Sequence, residues 1–374
     1  MQSLKLLAEK EEINFFLKKI IKSEIISIDI EFMRRNTFFP EPCVIQISDG
    51  RNHACIDLIT KINYKEMFEN IFKSNKKIII HSCRQDLEIL HMILGYIPDN
   101  IFDTQFAASF LGYKYQIGYA ELMEEIFNIR IDKSEKMTNW KKRPLSIDQI
   151  KYAFNDVVYL NKLYTYLNNK LIKTNKLIYY KEEFLNFIND IEWNPNTSDA
   201  WKRIKSINNL NKNAKNIVKI ISIWREKRAI DLNLPRNWIL SEKEIIEISK
   251  NYLLKNKISF PKKKSKTLNA NKDSLEIESE INFFYKNNKN SYTPEKKIKI
   301  NNDLKKVADE LYNYFKLISD ENKISYQILS PKKMVLNYLR KNDANSRLVT
   351  GWRKNIINID KVNNITQDFF KTTL

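Results

Sequence analysis

The sequence contains little glycine and cysteine, and it has no long apolar run. Its three cysteines, Cys43, Cys55 and Cys83, fit neither a disulfide framework nor a metal-binding spacing. No run approaches the roughly 18 apolar residues of a membrane helix. Residues 1–12 carry mixed charge where a signal peptide has an apolar core. We therefore expect a soluble cytoplasmic protein with reduced thiols and no membrane partner.

Glycine accounts for five of the 374 residues, whereas lysine, asparagine and isoleucine are abundant. This bias is typical of a coding sequence poor in G and C, so part of the lysine excess carries no functional information. The length suffices for two or three domains, and 43% hydrophobic residues supply material for their cores.

The net charge of +19 is confined to the second half of the chain. Residues 1–200 hold 27 basic and 27 acidic residues, whereas residues 201–374 hold 37 and 18. Codon bias alone should enrich lysine in both halves. The asymmetry therefore indicates that the second half binds a polyanion such as nucleic acid, with a solvated lysine-rich surface as the alternative.

Hydrophobic patterns predict an α/β domain at the start of the chain. Short apolar runs typical of strands occupy residues 25–32, 43–47, 53–58, 77–80 and 101–103. Helical patterns cover residues 4–20 and 66–72, and a loop leads into a helix between residues 81 and 94. Consecutive strands followed by alternation with helices predict a mixed sheet.

Two carboxylates lie side by side on the first of these strands. Alternation along residues 25–32 places Asp29 and Glu31 on the polar face, opposite the isoleucines. At a separation of about 4 Å, two such charges repel by roughly 4 kcal/mol when the effective dielectric constant is about 20. Solvent or a hard divalent cation would relieve that repulsion. Taken alone, the pair favours an ordinary solvated strand over a metal site.

Further acidic residues follow two other strands. Asp86 opens a helix after the strand at residues 77–80, where ligands of α/β sheets gather. An acidic residue in a first helical turn is equally ordinary, because it favours the helix dipole. Asp103 ends its strand before Thr104, and we expect it to cap a helix or support the site.

A tyrosine and a carboxylate share one face of a later helix. Ser146 and Gln149 form a capping box that opens this helix. Tyr152 and Asp156 are four residues apart and lie one turn from each other. They are either a core tyrosine bonded to its neighbour or a fourth carboxylate with a group that orients water.

In this order, the acidic residues resemble the DEDD superfamily of 3′→5′ exonucleases, in its tyrosine branch, and ribonuclease D within it. The motifs that carry the resemblance are Glu31-Phe32-x-Arg34-x-x-Thr37-x-x-Pro40 with Val44-Ile45-Gln46, His81-x-Cys83-x-x-Asp86-Leu87-Glu88, Asp103-Thr104-Gln105, Trp140-x-x-Arg143-Pro144-Leu145 and Tyr152-Ala153-x-x-Asp156. Lys151 stands where the histidine branch has its histidine. Ile30 replaces the usual threonine, but alternation points it away from the metals.

The resemblance implies a ribonuclease H-like, mixed-sheet exonuclease domain over residues 1–175. It implies two Mg²⁺ or Mn²⁺ ions held by four carboxylates, those of Asp29, Glu31, Asp86 and Asp156. Tyr152 would orient the attacking water, and nucleoside 5′-monophosphates would leave one at a time. Three residues are weaker candidates for gripping the terminal nucleotide: Phe32, Met33 and His81. Burial in the core explains Phe32 equally well.

The basic half contains Trp224-Arg225-x-x-x-Ala229 followed by Asn233-x-Pro235-Arg236-x-x-Ile239-Leu240, and later Leu329-Ser330-Pro331 and Gly351-Trp352-Arg353. These motifs resemble two HRDC domains, which are small all-α modules. We expect them at residues 205–260 and 300–374, with linkers at 176–204 and 261–299, the second of which includes an irregular helix. Trp224, Trp238 and Trp352 should belong to their cores. The candidates for phosphate contacts are Arg225, Arg228, Arg236, Lys262, Lys263 and Lys264.

These features together predict a metal-dependent 3′→5′ exoribonuclease with an RNA 3′ end as its substrate, in particular that of tRNA precursors. We expect a monomer. A DNA 3′→5′ exonuclease of the same superfamily is one alternative, since recognition of a 2′-hydroxyl cannot be identified from these residues. An inactive nucleic-acid-binding protein is the other, although such a protein has no use for four clustered acids.

Overall fold

The computed structural model describes residues 5–73, 75–132, 134–135, 137–261, 267–287, 302–341 and 343–373. The chain forms two compact units. The first unit comprises Met1–Phe32, Pro42–Ile191 and Lys296–Leu374, and the second comprises Met33–Glu41 and Glu192–Glu295. Among the described helices, none combines the length and the apolar character that crossing a membrane requires.

Within the described residues, a six-stranded sheet forms the core of the first unit. Its strands follow the order β1 (Leu6–Leu7), β4 (His53–Asp57), β3 (Glu41–Ser48), β2 (Ile25–Met33), β5 (Lys77–Ile80) and β6 (Ile101–Asp103). β5 runs parallel to both β2 and β6, and β1 runs parallel to β4. β3 and β4 are antiparallel, so the predicted mixed sheet is confirmed.

The central strand β2 alternates as its sequence predicts. Ile26 and Ile28 are fully buried, and Ile30 is 4% exposed. Burying each of these side chains stabilises the fold by about 1.5–3 kcal/mol. Asp29 and Glu31 are half-buried and lie near the end of β2. Because β2, β5 and β6 are parallel, their carboxyl ends meet at the same edge of the sheet.

The predicted first helix is shorter than expected. It begins at Lys10, because Leu6 and Leu7 pair with Cys55 and Ile56 as an edge strand. The helices before residue 191 are α1 (Lys10–Ile20), α2 (Tyr64–Phe72), α3 (Arg84–Leu94), α4 (Thr104–Ala108), α5 (Tyr119–Phe127), α6 (Ile147–Val158), α7 (Leu160–Lys173) and α8 (Leu177–Asn189).

Helix α8 lies in the segment predicted to be a linker, residues 176–204. Tyr180 and Phe184 on this helix are buried, and the Tyr180 ring lies 4.8 Å from that of Phe102 on β6. The linker prediction is therefore wrong for α8. An aromatic face of this size is stable only when it packs on a core.

The second unit is helical and contains α9 (Lys212–Asp231), α10 (Arg236–Ile239), α11 (Glu242–Lys255) and α12 (Ala270–Asn287). A capping box of Ser241 and Glu244 opens α11. Helix α12 lies in the segment 261–299, where we predicted a linker with an irregular helix, and its Ile277 and Ile281 are fully buried in the hydrophobic core of this unit. Phe38 belongs to the same core.

Residues 302–373 form a helical module within the first unit, with α13 (Asn302–Asn322), α14 (Tyr326–Leu329), α15 (Lys332–Lys341) and α16 (Ile359–Thr373). It repeats the second unit's order of a long helix, a four-residue helix and two further helices. Arg353 in this module pairs with Glu183 on α8 at 2.7 Å. The module thus contacts the preceding part of the first unit through α8.

The three tryptophans predicted to lie in the helical cores differ in exposure. Trp224 and Trp352 are 4% and 1% exposed, as expected. Trp238 is 45% exposed, so its assignment to the core is wrong. The four-residue helix α10 buries Ile239 and leaves the preceding residue on its outer side.

Candidate metal centre and active site

Three carboxylates meet near the end of β2. Asp29, Glu31 and Asp156 each offer an oxygen, and these oxygens lie within 4.8 Å of one another. Hard carboxylate oxygens are the ligands that Mg²⁺ and Mn²⁺ prefer. Two members come from adjacent positions on one face of β2, and the third comes from α6. The donor set and its crowding of negative charge therefore suit a divalent cation.

Helix α6 reaches the sheet through an anchored start. The predicted capping box is present, with Ser146 and Gln149 bonding each other's backbone N–H groups at 3.0 Å. Just before it, the guanidinium of Arg143 donates two 2.6 Å hydrogen bonds to Asp57 at the end of β4. This bidentate pair fixes the helix start against the sheet. Position and orientation of Asp156 follow from that attachment.

Tyr152 lies one turn before Asp156 and donates a hydrogen bond to its carboxylate. Burial, followed by the negative charges of Asp156, Glu31 and Asp29, raises the pKa of Tyr152 far above its usual value. Its ring packs 5.9 Å from that of Trp140. The hydroxyl thus remains protonated near neutral pH and can donate hydrogen bonds.

Asp86, the remaining predicted ligand, lies in the first turn of α3 and is 6% exposed. Burial, and then repulsion by Asp29, raises the pKa of Asp86 well above its ordinary value. The backbone N–H of Ile30 donates to its carboxylate. It lines the same cavity as the three clustered carboxylates without belonging to that close group.

These groups open into a cavity of about 460 Å³. Its lining includes all five predicted catalytic residues: Asp29, Glu31, Asp86, Tyr152 and Asp156. Phe32 and His81, two candidates for gripping the terminal nucleotide, also line it, whereas Met33 is not part of the lining.

His81 is nevertheless engaged by the protein. Its Nδ1 lies 2.9 Å from Thr104 Oγ1, and its Nε2 lies 3.0 Å from the carbonyl oxygen of Ile117. A carbonyl only accepts, so Nε2 donates. These contacts favour a positioning role for His81 over contact with a nucleotide.

Tyr119 is a lining residue that sequence reasoning missed. Burial, and then Asp156, raises the pKa of this phenol well above its usual value. Its hydroxyl donates to the carbonyl of Asn155, the neighbour of Asp156, at 3.3 Å. Tyr119 begins α5 directly after Gly118. In the sequence, the one available signal is this Gly-Tyr step immediately before an apolar helix.

The predicted phosphate contacts in the second unit are largely internal. Arg225 is 2% exposed and donates to the carbonyl of Leu240 at 3.2 Å. Arg236 forms a 2.6 Å ion pair with the fully buried Glu226, and Arg228 lies 3.5 Å from Asp273. Charge compensation within the core therefore explains these arginines. Lys262, Lys263 and Lys264 lie outside the described residues.

Comparison with known proteins agrees with this geometry. A family model described as a 3′-5′ exonuclease matches residues 5–172. Ribonuclease D of Bartonella henselae is 32% identical over 278 residues, which cover 73% of this chain and 67% of that protein. Ribonuclease D of Acidiphilium cryptum is 33% identical over 235 residues, covering 62% and 59%.

Solved structures share the fold. Escherichia coli RNase D, described as an exoribonuclease involved in structured RNA processing, superposes with a TM-score of 0.84. The match covers 98% of this chain and 100% of that one at 22% identity. The catalytic core of RRP6 from Trypanosoma brucei matches 75% of this chain and 79% of its own, at 18% identity and a TM-score of 0.57.

A mixed sheet with a carboxylate cluster at the carboxyl edge of its parallel strands, followed by helical modules, defines a 3′→5′ exonuclease of the DEDD class. Both similarities in sequence point to the same member of that class. The chain belongs to the ribonuclease D family, and it is a 3′→5′ exoribonuclease. The predicted family, fold class and enzyme activity are confirmed.

Proposed function

We propose that the enzyme trims the 3′ ends of structured RNA, with tRNA precursors as substrates, at a centre of two divalent metal ions. The observation that carries this proposal is the meeting of Asp29, Glu31 and Asp156 within 4.8 Å, beside the hydroxyl of Tyr152. Asp86, which lines the same cavity from the first turn of α3, completes the ligand set. Each residue keeps the role expected from the sequence.

The donor set suits Mg²⁺ or Mn²⁺, because all of its members are carboxylates. When bound, two such ions lower the pKa of a water and stabilise the charge on the leaving 3′ oxygen. Burial, and then the charge of Asp29, raises the pKa of Asp86, and a neighbouring cation would favour its ionised form.

Tyr152 keeps its proton and holds the attacking water by hydrogen bonding. Its raised pKa excludes the role of general base near neutral pH. Asp156 accepts the hydrogen bond of this phenol and thereby fixes where its oxygen points. The exposed lining, which includes Ser82 and Gln116, leaves the cavity open to a chain end.

The substrate follows from charge and from the relatives. The half of the chain after residue 200 carries the whole net charge of +19, which supports a hold on the body of an RNA. The structured RNA processing attributed to the Escherichia coli enzyme supports folded substrates. Cys43, Cys55 and Cys83 are buried and are not joined by disulfides, which supports an enzyme of the cytoplasm, and the enzyme acts as a monomer in this proposal.

The substrate claim is tested by comparing kcat/KM on three labelled molecules in Mg²⁺ or Mn²⁺. These are a 3′-extended tRNA precursor, a single-stranded RNA with the same 3′ sequence, and the matched DNA strand. We expect the precursor to be trimmed to a defined end and the DNA to be a poor substrate. Equal or faster digestion of DNA would favour the DNA exonuclease. Binding without digestion in either metal would favour the inactive binding protein.

A further inference from the structure

Two separate walls of the catalytic cavity are hydrogen-bonded to three consecutive side chains at the junction of β6 and α4. These are the side chains of Asp103, Thr104 and Gln105. They occupy the end of β6 and the first turn of α4. Asp103 and Thr104 are 4% and 0% exposed, and Gln105 is half-buried and lines the cavity. None of the three belongs to the carboxylate cluster. We name this group the DTQ hub.

Asp103 fixes the first wall, which is the loop that leads into α3 and Asp86. Its carboxylate accepts the backbone N–H of Ser82 at 3.1 Å and that of Cys83 at 2.8 Å. It also caps α4 by accepting the N–H groups of Gln105 and Phe106 at 2.8 and 3.0 Å. One side chain thus joins the start of α4 to the segment that carries Asp86.

Thr104 and Gln105 fix the second wall, which is the segment before α5. The amide of Gln105 donates to the carbonyl of Ile117 at 2.9 Å, and Nε2 of His81 donates to the same oxygen at 3.0 Å. Thr104 Oγ1 lies 2.9 Å from Nδ1 of His81 and 3.2 Å from the carbonyl oxygen of Ile80, so it joins the His81 ring to the end of β5. Two donors on one buried carbonyl keep the segment that leads to Tyr119 in place.

Each wall presents a residue with a left-handed backbone. Ser82 has a φ of +65° and Gln116 a φ of +55°, and both line the cavity. Residues other than glycine rarely adopt such φ angles, and they do so where the surrounding structure holds the backbone in place. The DTQ hub supplies the bonds next to both positions, at the N–H of Ser82 itself and at the carbonyl of Ile117.

The hub rests on a rigid support. The backbone N–H of Asp103 donates to the hydroxyl of Tyr180 on α8 at 3.0 Å. The ring of Phe106 on α4 lies 5.5 Å from those of Phe184 and Phe187. An aromatic layer therefore packs against the start of α4. The hydrogen bonds of the DTQ hub connect this packed layer to the two cavity walls.

We propose that Asp103, Thr104 and Gln105 are positioning residues, which set the two cavity walls relative to the carboxylates and to the chain end that is cut. The proposal rests on the proposed function, since it concerns the same site. Catalysis depends steeply on such placement, because a displacement of about 1 Å can cost about a hundredfold in rate. Loss of one hub bond should lower kcat more than substrate affinity.

The test compares Thr104→Val with Thr104→Ser in the full-length enzyme. Valine keeps the shape of the side chain and removes its hydroxyl, whereas serine keeps the hydroxyl. Thr366→Val is the matched control, because Thr366 is also buried, at 1% exposed, and its hydroxyl bonds to Val362 on α16 and to Tyr338 on α15, neither of which lines the cavity. We would measure kcat and KM on a 3′-extended RNA, the urea unfolding midpoint, and amide hydrogen exchange over residues 113–120.

Thr104→Val should lower kcat by about tenfold or more, with KM changed by less than about twofold, and should speed exchange over residues 113–120. Thr104→Ser should restore kcat, and Thr366→Val should leave both kcat and exchange in this segment unchanged. Equal kcat in Thr104→Val and Thr366→Val, or an equal loss in the serine and valine variants, would overturn the proposal.

Should Thr104→Val not fold, Gln105→Leu decides the matter. This substitution removes one of the two hydrogen bonds to the carbonyl of Ile117, and the side chain that it changes is only half-buried. We therefore expect a severalfold lower kcat at an unchanged unfolding midpoint. An unchanged kcat would contradict the positioning role of the DTQ hub. A wild-type enzyme that digests no nucleic acid would refute the proposed function alone. Hydrogen exchange then still tests the hub, because it requires no activity.

Discussion

Replacing Tyr152 by phenylalanine should slow the reaction without changing its dependence on pH. The substitution keeps the ring against Trp140 and removes the hydroxyl that donates to Asp156. A hydrogen bond to a charged group contributes about 1.5–3 kcal/mol. If this whole contribution is lost in the transition state, kcat falls by about 10- to 150-fold.

The pH dependence follows from the raised pKa of the phenol. Burial is its largest cause and does not depend on the charge of the cluster, so bound cations leave that effect in place. Tyr152 therefore stays protonated between about pH 6 and about pH 9 in the wild-type enzyme. The pH–rate profiles of wild type and Tyr152→Phe should have the same shape and differ only in height.

The assay is single-turnover cleavage of a 3′-extended RNA in saturating Mg²⁺ across this pH range. Tyr314→Phe serves as control, because the Tyr314 hydroxyl is also buried and accepts the N–H of Asn358 at 2.7 Å in the C-terminal module. Loss of one limb of the profile in Tyr152→Phe would show that the tyrosine acts as a base. An unchanged rate would show that its hydroxyl has no part in catalysis.

Three further predictions concern the charges. Asp29→Asn should abolish cleavage and change the Kd for RNA by less than about threefold, since the basic half retains its charge; a large rise in Kd contradicts this division. Arg353→Leu should lower the free energy of unfolding by about 3–5 kcal/mol in urea titrations, because Glu183, 13% exposed, loses its charged partner. Arg347→Leu, which breaks an exposed pair, should lose less than about 1 kcal/mol, and equal losses would refute the contrast. In EDTA, Asp86 binds its proton more tightly in the folded than in the unfolded protein, so the free energy of unfolding should fall as pH rises from about 4 through its raised pKa. Asp86→Asn should make the free energy of unfolding depend less on pH. Parallel curves of this free energy against pH for the wild type and the variant would contradict the prediction.

The strands and the carboxylates could be predicted because their patterns are local. The alternation of apolar and polar residues in β2 specifies which face is buried, and it puts Asp29 and Glu31 together without knowledge of the rest of the fold. Capping residues likewise specify where α6 begins, and with it the phase of Tyr152 and Asp156.

The remaining features depend on partners distant in sequence. The sequence shows that Arg236 is a positive charge, but it does not show that this charge is paired. In the structure the buried Glu226 compensates it inside the second unit. Tyr119 reaches the cavity from the start of a helix whose sequence pattern concerns only its own core. The DTQ hub acts on Ser82 and Ile117, and no periodicity links these positions to residue 104.

The central claim is that the carboxylate cluster performs metal-dependent removal of nucleotides from an RNA 3′ end. The most direct measurement identifies the products of a uniformly labelled, 3′-extended tRNA precursor treated with wild type, Asp156→Asn or Asp148→Asn, in Mg²⁺ or EDTA. Asp148 lies on the same helix α6, but its side chain is 73% exposed. We predict stepwise release of nucleoside 5′-monophosphates by wild type and Asp148→Asn in Mg²⁺, and none with EDTA or Asp156→Asn. Release that survives EDTA, or that persists in Asp156→Asn, would contradict the account.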